Sequence, residues 1–248
     1  MKLVIFDLDG TLAESKQAIT GAMPELLSRL LEQKNVAVIS GGKLEQLQKQ
    51  VANQLLDSVN FKNLYLLPTS GAALYEFRNG EWKKVYEEHI SDKDADAIDV
   101  AIHAAAEETG IVNFKDQSWG PRIEHRGGQV TFSALGQQAP VAIKKTWDPE
   151  HKKRAGLVDY LTPRLKDFSV HFGGLTTIDI TKKGIDKAYG IHKLCTRLNI
   201  PETDTLYVGD ELGKGGNDEA VFKTEVKTEA VTGPAQTEKL ISLLLNRA

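Results

Sequence analysis

Four short apolar runs punctuate the chain, each closed by polar or glycine-rich residues. They are Leu3-Val4-Ile5-Phe6 ahead of Asp7, residues 36–39 ahead of Ser40, residues 64–67 ahead of Pro68, and Leu206-Tyr207-Val208 ahead of Gly209-Asp210. The runs are continuous rather than alternating, which is the pattern of strands buried on both faces of a parallel sheet. Between the first three, apolar residues recur at helical spacing: Met23, Leu26, Leu27, Leu30 and Leu31 within 19–31, then Leu44, Leu47, Val51 and Leu55. Strand and helix in alternation predict an α/β fold on a parallel sheet.

The middle of the chain changes period. Ile98, Ile102 and Ala105 mark one face of a helix over 92–110, with Gly110 as its stop. Alternating runs at 122–126 and 129–135 flank Gly127-Gly128, and 168–172 and 175–180 flank Gly173-Gly174. A Gly-Gly pair between two such runs predicts a hairpin. A helix is expected over 149–165 between the hairpins, and the charged stretch 144–154 reads as a solvated loop and helix start. The expectation is an antiparallel α+β module, residues 87–183, inserted into a split α/β core of residues 1–86 and 184–248. A hinge between the two is expected near 83–90 and 180–187, gating water entry.

Composition narrows the function classes. With 248 residues the chain can bury a full core without metal or disulfide staples. A formal charge of -3 gives no basic footprint for nucleic acid or for an acidic membrane surface. Cys195 is the one cysteine, so neither an intramolecular disulfide nor a multi-cysteine zinc site is available, and it reads as a small buried residue. The opening residues are too briefly apolar for a secretory signal, and no run approaches the about 18 residues of a membrane span, so a cytoplasmic location is expected.

The polar residues that close the apolar runs carry the candidate chemistry. In a parallel sheet the carboxyl ends of the strands face the ligand crevice, so Asp7 projects there, with Asp9 on the same turn and Gly10 permitting a sharp departure. Two carboxylates this close repel unless one is protonated or a cation neutralises them, and Mg²⁺ is the natural hard cation for oxygen ligands. Ser40-Gly41-Gly42 closes the second run ahead of a helix, where a hydroxyl and free N–H groups suit a phosphate. Lys187 starts a helix where the chain re-enters the core, and Asp210 with Asn217 and Asp218 sits on a glycine-rich loop after the fourth run. Four signals on one sheet edge point to phosphoryl transfer to a carboxylate, with Asp7 attacking phosphorus and Asp9 moving the proton.

Phe6-Asp7-Leu8-Asp9-Gly10-Thr11-Leu12 resembles the first motif of the haloacid dehalogenase superfamily, and Ser40, Lys187 and Gly209-Asp210 with Asn217-Asp218 resemble the other three. The resemblance spans essentially the whole chain, and an insertion between the second and third motifs is that of the large-capped type IIB group. It implies a Rossmann-like core with an inserted α+β cap that sets substrate specificity. It also implies Asp7 as nucleophile, Asp9 as acid/base, and Thr11, Ser40, Gly41 and Lys187 as phosphate contacts. Mg²⁺ would be held at Asp7, Asp9 through its backbone, and Asp210, supported by Asn217 and Asp218.

Within that group the chain most resembles the eukaryotic-type phosphomannomutase family, through 69–74, 123–126 with 130–136, 173–179, 184–187 and 215–222. That resemblance places Arg126, Thr177 and Asp179 at substrate-binding positions of the cap. It also exposes departures: Gln137 and Lys144 stand where the family pattern has cap arginines, and Lys16 where it has one after the first motif. A mutase must retain a sugar bisphosphate while it turns over, and a lysine or glutamine grips phosphate less well than a bidentate arginine. The sequence therefore leans to a phosphatase acting on a sugar phosphate or similar small phosphate ester, with phosphomannomutase as the alternative. A monomer and a cap-mediated homodimer both remain open.

Overall fold

The computed structural model describes residues 1–56 and 59–246. The chain divides into two compact units, Met1–Glu87 with Asp186–Ala248, and Glu88–Ile185. In chain order the strands are β1 (Leu3–Asp7), β2 (Asn35–Ile39), β3 (Leu64–Leu67), β4 (Ala73–Arg78), β5 (Glu81–Glu87), β6 (Ile123–His125), β7 (Gln129–Ser133), β8 (Phe168–Phe172), β9 (Thr177–Lys182), β10 (Thr205–Gly209) and β11 (Lys227–Ala230). The helices are α1 (Met23–Gln33), α2 (Leu44–Gln50), α3 (Asp92–Thr109), α4 (Val141–Trp147), α5 (Lys152–Leu161), α6 (Lys187–Leu198) and α7 (Pro234–Asn246).

In the split unit one sheet runs β11-β10-β1-β2-β3-β4-β5. Its first five strands are parallel, and β4 and β5 return antiparallel. The unbroken apolar runs are explained by what covers each face. Val4 and Phe6 pack with Leu27 and Leu30 of α1 and Ile241 of α7, while Leu3 and Ile5 pack on the other face with Ile191 and Leu194 of α6. Each such fully buried side chain contributes about 1.5–3 kcal/mol of transfer free energy. Cys195 lies buried in that second core.

The expected helices are present but shorter. Gly21, at φ +65°, turns the chain before α1, so Ile19 is buried ahead of the helix rather than in it. Val51 leaves helical geometry, and 52–54 continue as a 3₁₀ turn toward buried Leu55. The β4–β5 hairpin was not expected from the apolar pattern, because β5 is largely exposed and charged. Its Asn79-Gly80 turn has both residues at positive φ (53° and 83°), as a tight two-residue hairpin requires. Phe61, Phe77 and Trp82 brace it with ring centroids 5.1–6.2 Å apart.

The contiguous unit is a four-stranded antiparallel sheet, β6-β7-β9-β8. Val130, Phe132, Val170, Ile178 and Ile180 face α3 and α5 in one apolar core with Ile98, Ile102, Leu157 and Leu161. Register places Glu124, Thr131, Asp179 and His171 side by side on the opposite face. Gln129, Ser133, Thr177 and Thr181 share that face by alternation along their strands.

The stretch 144–154 corrects part of the expectation of a solvated loop and helix start: Lys145, Glu150, Lys152 and Lys153 are exposed and a helix does start there, but the rest is partly helical and partly buried. Residues 141–147 form α4, and Lys144, Asp148 and Arg154 are buried. The following helix starts at Lys152 and ends at Leu161, inside the 149–165 expected. The reason is pairing: Arg154 and Asp148 make a salt bridge of 3.0 Å, and charges are buried when paired and hydrogen-bonded. Among the described residues no helix is long and apolar enough to cross a membrane.

Candidate active site

Asp7 is the last residue of β1 and is buried. The chain then turns tightly, with the Leu12 and Ala13 N–H groups donating to the Leu8 carbonyl (3.0 and 3.1 Å) and the Gly10 N–H to that of Ala13 (2.7 Å). Gly10 has φ +89°, and a Cβ there would lie 2.2 Å from Asp210 Oδ2, so only glycine lets the β10 loop approach the β1 loop this closely. Asp210 follows directly on β10, and the Thr11 hydroxyl donates to its Oδ1 (3.2 Å). Thr11 is thereby held against the acid, and the Thr237 hydroxyl of α7 donates to its carbonyl (2.7 Å).

Lys187 opens α6, whose N-cap Asp186 accepts the Tyr189 N–H. The buried ammonium donates to Asp7 Oδ1 (2.7 Å), Asp218 Oδ1 (2.6 Å) and Asn217 Oδ1 (2.8 Å). Asp218 is fully buried and also accepts the Tyr207 hydroxyl (2.5 Å) and the Glu211 N–H (3.1 Å). A Cβ on Gly209 would meet Asp218 Oδ2 at 2.3 Å, so glycine at the end of β10 makes room for this acid.

Asp7, Asp210 and Asp218 bring carboxylate oxygens within 4.8 Å of one another. Asp7 Oδ2 is buried with no hydrogen-bond partner. Three acids facing one ammonium leave excess negative charge, and a set of hard carboxylate oxygens this close together fits a divalent cation such as Mg²⁺. The same crowding shows in proton affinity. Burial pushes the Asp7 carboxyl well above its usual range, Asp218 and Asp210 add to the push, and Lys187 opposes it. Asp210 is pushed up to about 6 by burial and by Asp218 and Glu211. Burial disfavours the Lys187 charge, but Asp218 and Asp7 outweigh it and hold the group protonated.

Asp9 is set apart from these acids. Its Oδ1 accepts the Lys16 N–H (2.6 Å), with Lys16 at φ 60°, and burial raises its pKa. Its side chain is outside the three-acid group, and Asn217 turns its carbonyl to Lys187. Ser40 is buried after β2, and its hydroxyl accepts the Gly42 N–H (3.2 Å). The helix begins only at Leu44, so Ser40 and Gly41 belong to the preceding loop rather than to the helix terminus. That loop is fixed by the next one: Ser70 N–H donates to Ser40 O and Thr69 N–H to Gly42 O, both at 2.9 Å. Tyr207 escaped sequence reasoning because a tyrosine in an apolar strand looks like core; only its offset of two residues before Gly209 was a signal.

In the contiguous unit the cap candidates fall into two groups. Arg126 forks onto Glu124 Oε2 through Nε and Nη2 (2.9 and 2.6 Å) and reaches Gln137 Oε1 (3.3 Å), while Lys144 donates to the Gln137 carbonyl (3.1 Å). Thr177 and Asp179 lie on the polar sheet face, where Asp179 Oδ1 accepts the Thr131 hydroxyl (2.8 Å) and Thr131 accepts from Gln129 (2.8 Å).

A parallel sheet with acids at its strand ends and a lysine at a helix start is the arrangement of an enzyme that handles phosphoryl groups. The profile of the haloacid dehalogenase-like hydrolases matches residues 4–225, and the chain belongs to that family. Across 250 residues it is 25% identical to a probable phosphomannomutase of Caenorhabditis elegans, covering 98% of this chain and 95% of that one. Phosphomannomutase 2 of Dictyostelium discoideum is 28% identical over 253 residues, 97% of this chain and 95% of that protein. Among solved structures, an IMP-bound mutant of Plasmodium falciparum IMP-nucleotidase superposes with a TM-score of 0.75 at 17% identity, covering 99% of this chain and 67% of that one. The C-terminal domain of Candida albicans trehalose-6-phosphate phosphatase does so at 0.67 and 17%, covering 99% and 92%. At that identity the likeness is one of fold.

Proposed function

We propose that this protein is a Mg²⁺-dependent phosphohydrolase acting on a sugar phosphate or similar small phosphate ester through an aspartyl phosphate. The observation that carries the reading is Asp7: Lys187 pins one oxygen while the other is buried and unbonded. A carboxylate so fixed is oriented for in-line attack on phosphorus. Asp7 Oδ2 forms the new P–O bond as the ester P–O bond breaks, and Asp9, whose proton affinity burial raises, gives a proton to the departing oxygen. Water then attacks the phosphoryl group, its proton returns to Asp9, and Asp7 is released with free phosphate. Lys187, Thr11 and the Ser40-Gly41 loop are assigned to the phosphoryl oxygens. Asp7, Asp210 and Asp218 would hold Mg²⁺, with Asn217 supporting through Lys187; the ion offsets phosphoryl charge.

The inserted unit is assigned to substrate choice through Arg126, Gln137, Lys144, Thr177 and Asp179. Glu124 offsets the Arg126 charge, and Gln137 brings none, so this face offers weak purchase for a second phosphate. The likeness over full length to proteins named phosphomannomutases favours a second reading, hexose phosphate isomerisation with a bisphosphate activator. Phosphorus NMR of an incubation with mannose 6-phosphate, Mg²⁺ and a trace of hexose bisphosphate decides between them. Growing inorganic phosphate supports the hydrolase, and conversion to the 1-phosphate without phosphate release supports the mutase. In either case Asp7→Asn is expected to lower turnover by about a thousand-fold or more, and full activity in that variant would refute the nucleophile.

A further inference from the structure

We propose that Arg154 is a positioning residue for substrate specificity: it anchors the 173–174 turn and so fixes Thr177 and Asp179. The proposal rests on the phosphohydrolase reading above, and it assigns a role to a residue that no motif pointed to.

Arg154 is buried, with 2% of its surface exposed. Its Nε donates to Asp148 Oδ2 (3.0 Å), its Nη1 donates to the Gly174 carbonyl (2.6 Å), and its guanidinium carbon lies 5.1 Å from the centre of the Phe172 ring. Asp148 is held in turn by the N–H groups of Lys153 (2.9 Å) and Arg154 (3.1 Å). A buried ion pair is a poor source of net stability, since desolvation cancels much of its attraction. What it supplies is geometry: a planar fork with one prong on the acid that closes α4 and the other on a turn between two strands.

That turn touches the substrate candidates directly. The Gly173 N–H donates to the Thr177 carbonyl (3.0 Å). A Cβ on Gly173 would lie 2.2 Å from Thr177 Oγ1 and 2.8 Å from Asp179 Oδ2. Thr177 and Asp179 therefore pack against bare glycine backbone, and the position of that backbone is set by Gly174 O on Arg154. The Asp148–Arg154–Gly174 link holds one side of the hydroxyl–carboxylate pair, while Thr131 holds Asp179 from the other. Such a pair suits the hydroxyls of a polyol, as donor and acceptor together.

The test compares two esters: the better substrate of mannose 6-phosphate and glucose 6-phosphate, and p-nitrophenyl phosphate, which has no hydroxyl to recognise. In Arg154→Lys and in Asp148→Asn, KM for the sugar phosphate is expected to rise about ten-fold or more, as for a weakened or lost hydrogen bond to a charged group. With p-nitrophenyl phosphate, kcat and KM should stay within about two-fold of the unmodified protein. Equal losses on both esters, or an unchanged KM for the sugar phosphate, would overturn the assignment. So would loss of cooperative melting in both variants, since a positioning role requires a fold that stands without the link; if only Arg154→Lys fails to fold, Asp148→Asn, which loosens the fork without touching the turn, decides. Unmodified protein that releases phosphate from neither ester, or release that survives Asp7→Asn, sinks the phosphohydrolase reading first and the assignment with it.

Discussion

Asp9 and Asp7 are two residues apart yet are held in different electrical settings, and that difference is testable. Burial raises the Asp9 pKa, and the Lys16 N–H on its carboxylate opposes the rise. A raised value means the proton is retained to higher pH, so in the proposed role of leaving-group acid Asp9 would work below its pKa, and turnover is expected to fall as pH climbs through it. Asp9→Asn should flatten that alkaline limb in a kcat–pH profile and lower the plateau by about a hundred-fold or more. An alkaline limb unchanged in the variant would assign the proton elsewhere. The acids themselves were legible in the sequence because strand ends in a parallel sheet announce where their side chains go. What each acid touches was not legible. Asn217 turns to Lys187, and Asp218 is claimed by Lys187, Tyr207 and Glu211, because those contacts join residues up to 31 positions apart.

At the scale of elements, Lys187 reaches Asp7 only if α6 sits at the right height, and a pair of glycines sets that height. Gly190 on α6 meets Gly71 so closely that a Cβ on Gly190 would lie 2.8 Å from Gly71 Cα and 3.0 Å from Leu67 Cδ2. Gly71 ends a run in which Thr69, Ser70 and Gly71 all have positive φ, a strained backbone that the Ser40 and Gly42 carbonyls help to hold. Gly190→Ala should therefore cost about 1–3 kcal/mol in urea unfolding and lower kcat more than it raises KM. A stable variant with unaltered kcat would show that the contact has no bearing on Lys187. Periodicity found α1, α2 and α3 because each has an apolar stripe against a sheet, whereas α6 is expected only from the position of Lys187. It missed the β4–β5 hairpin, whose outer strand β5 is polar as suits a sheet edge, and it misjudged part of 144–154, where Asp148 and Arg154 are buried as a pair.

For the whole molecule, the acid cluster links stability to pH and to cations. Asp210 is pushed from 3.8 to about 6 in the folded chain, so over that interval the folded state binds more protons than the unfolded one, and stability falls as pH rises. In excess chelator, the melting temperature of the unmodified protein should drop across that window relative to Asp210→Asn. Millimolar Mg²⁺ at neutral pH should raise it again in the unmodified protein, following RT ln(1 + [Mg²⁺]/Kd). A melting temperature indifferent to Mg²⁺ would count against the cation site. The split core was visible in the sequence as a change of period and its return, whereas the net charge of -3 said nothing of where those charges gather. Splitting the core also orders events on the ribosome. β1 must pair along one edge with β10, Leu3 opposite Thr205, so that edge stays open while the intervening chain is made. The contiguous unit, whose contacts lie within 88–185, can close first and shorten the distance still to be searched. Asp7 emerges early but meets Lys187 and Asp210 only after their part of the chain has followed, so a nascent chain has no assembled acid cluster until β10 and its loop are laid down.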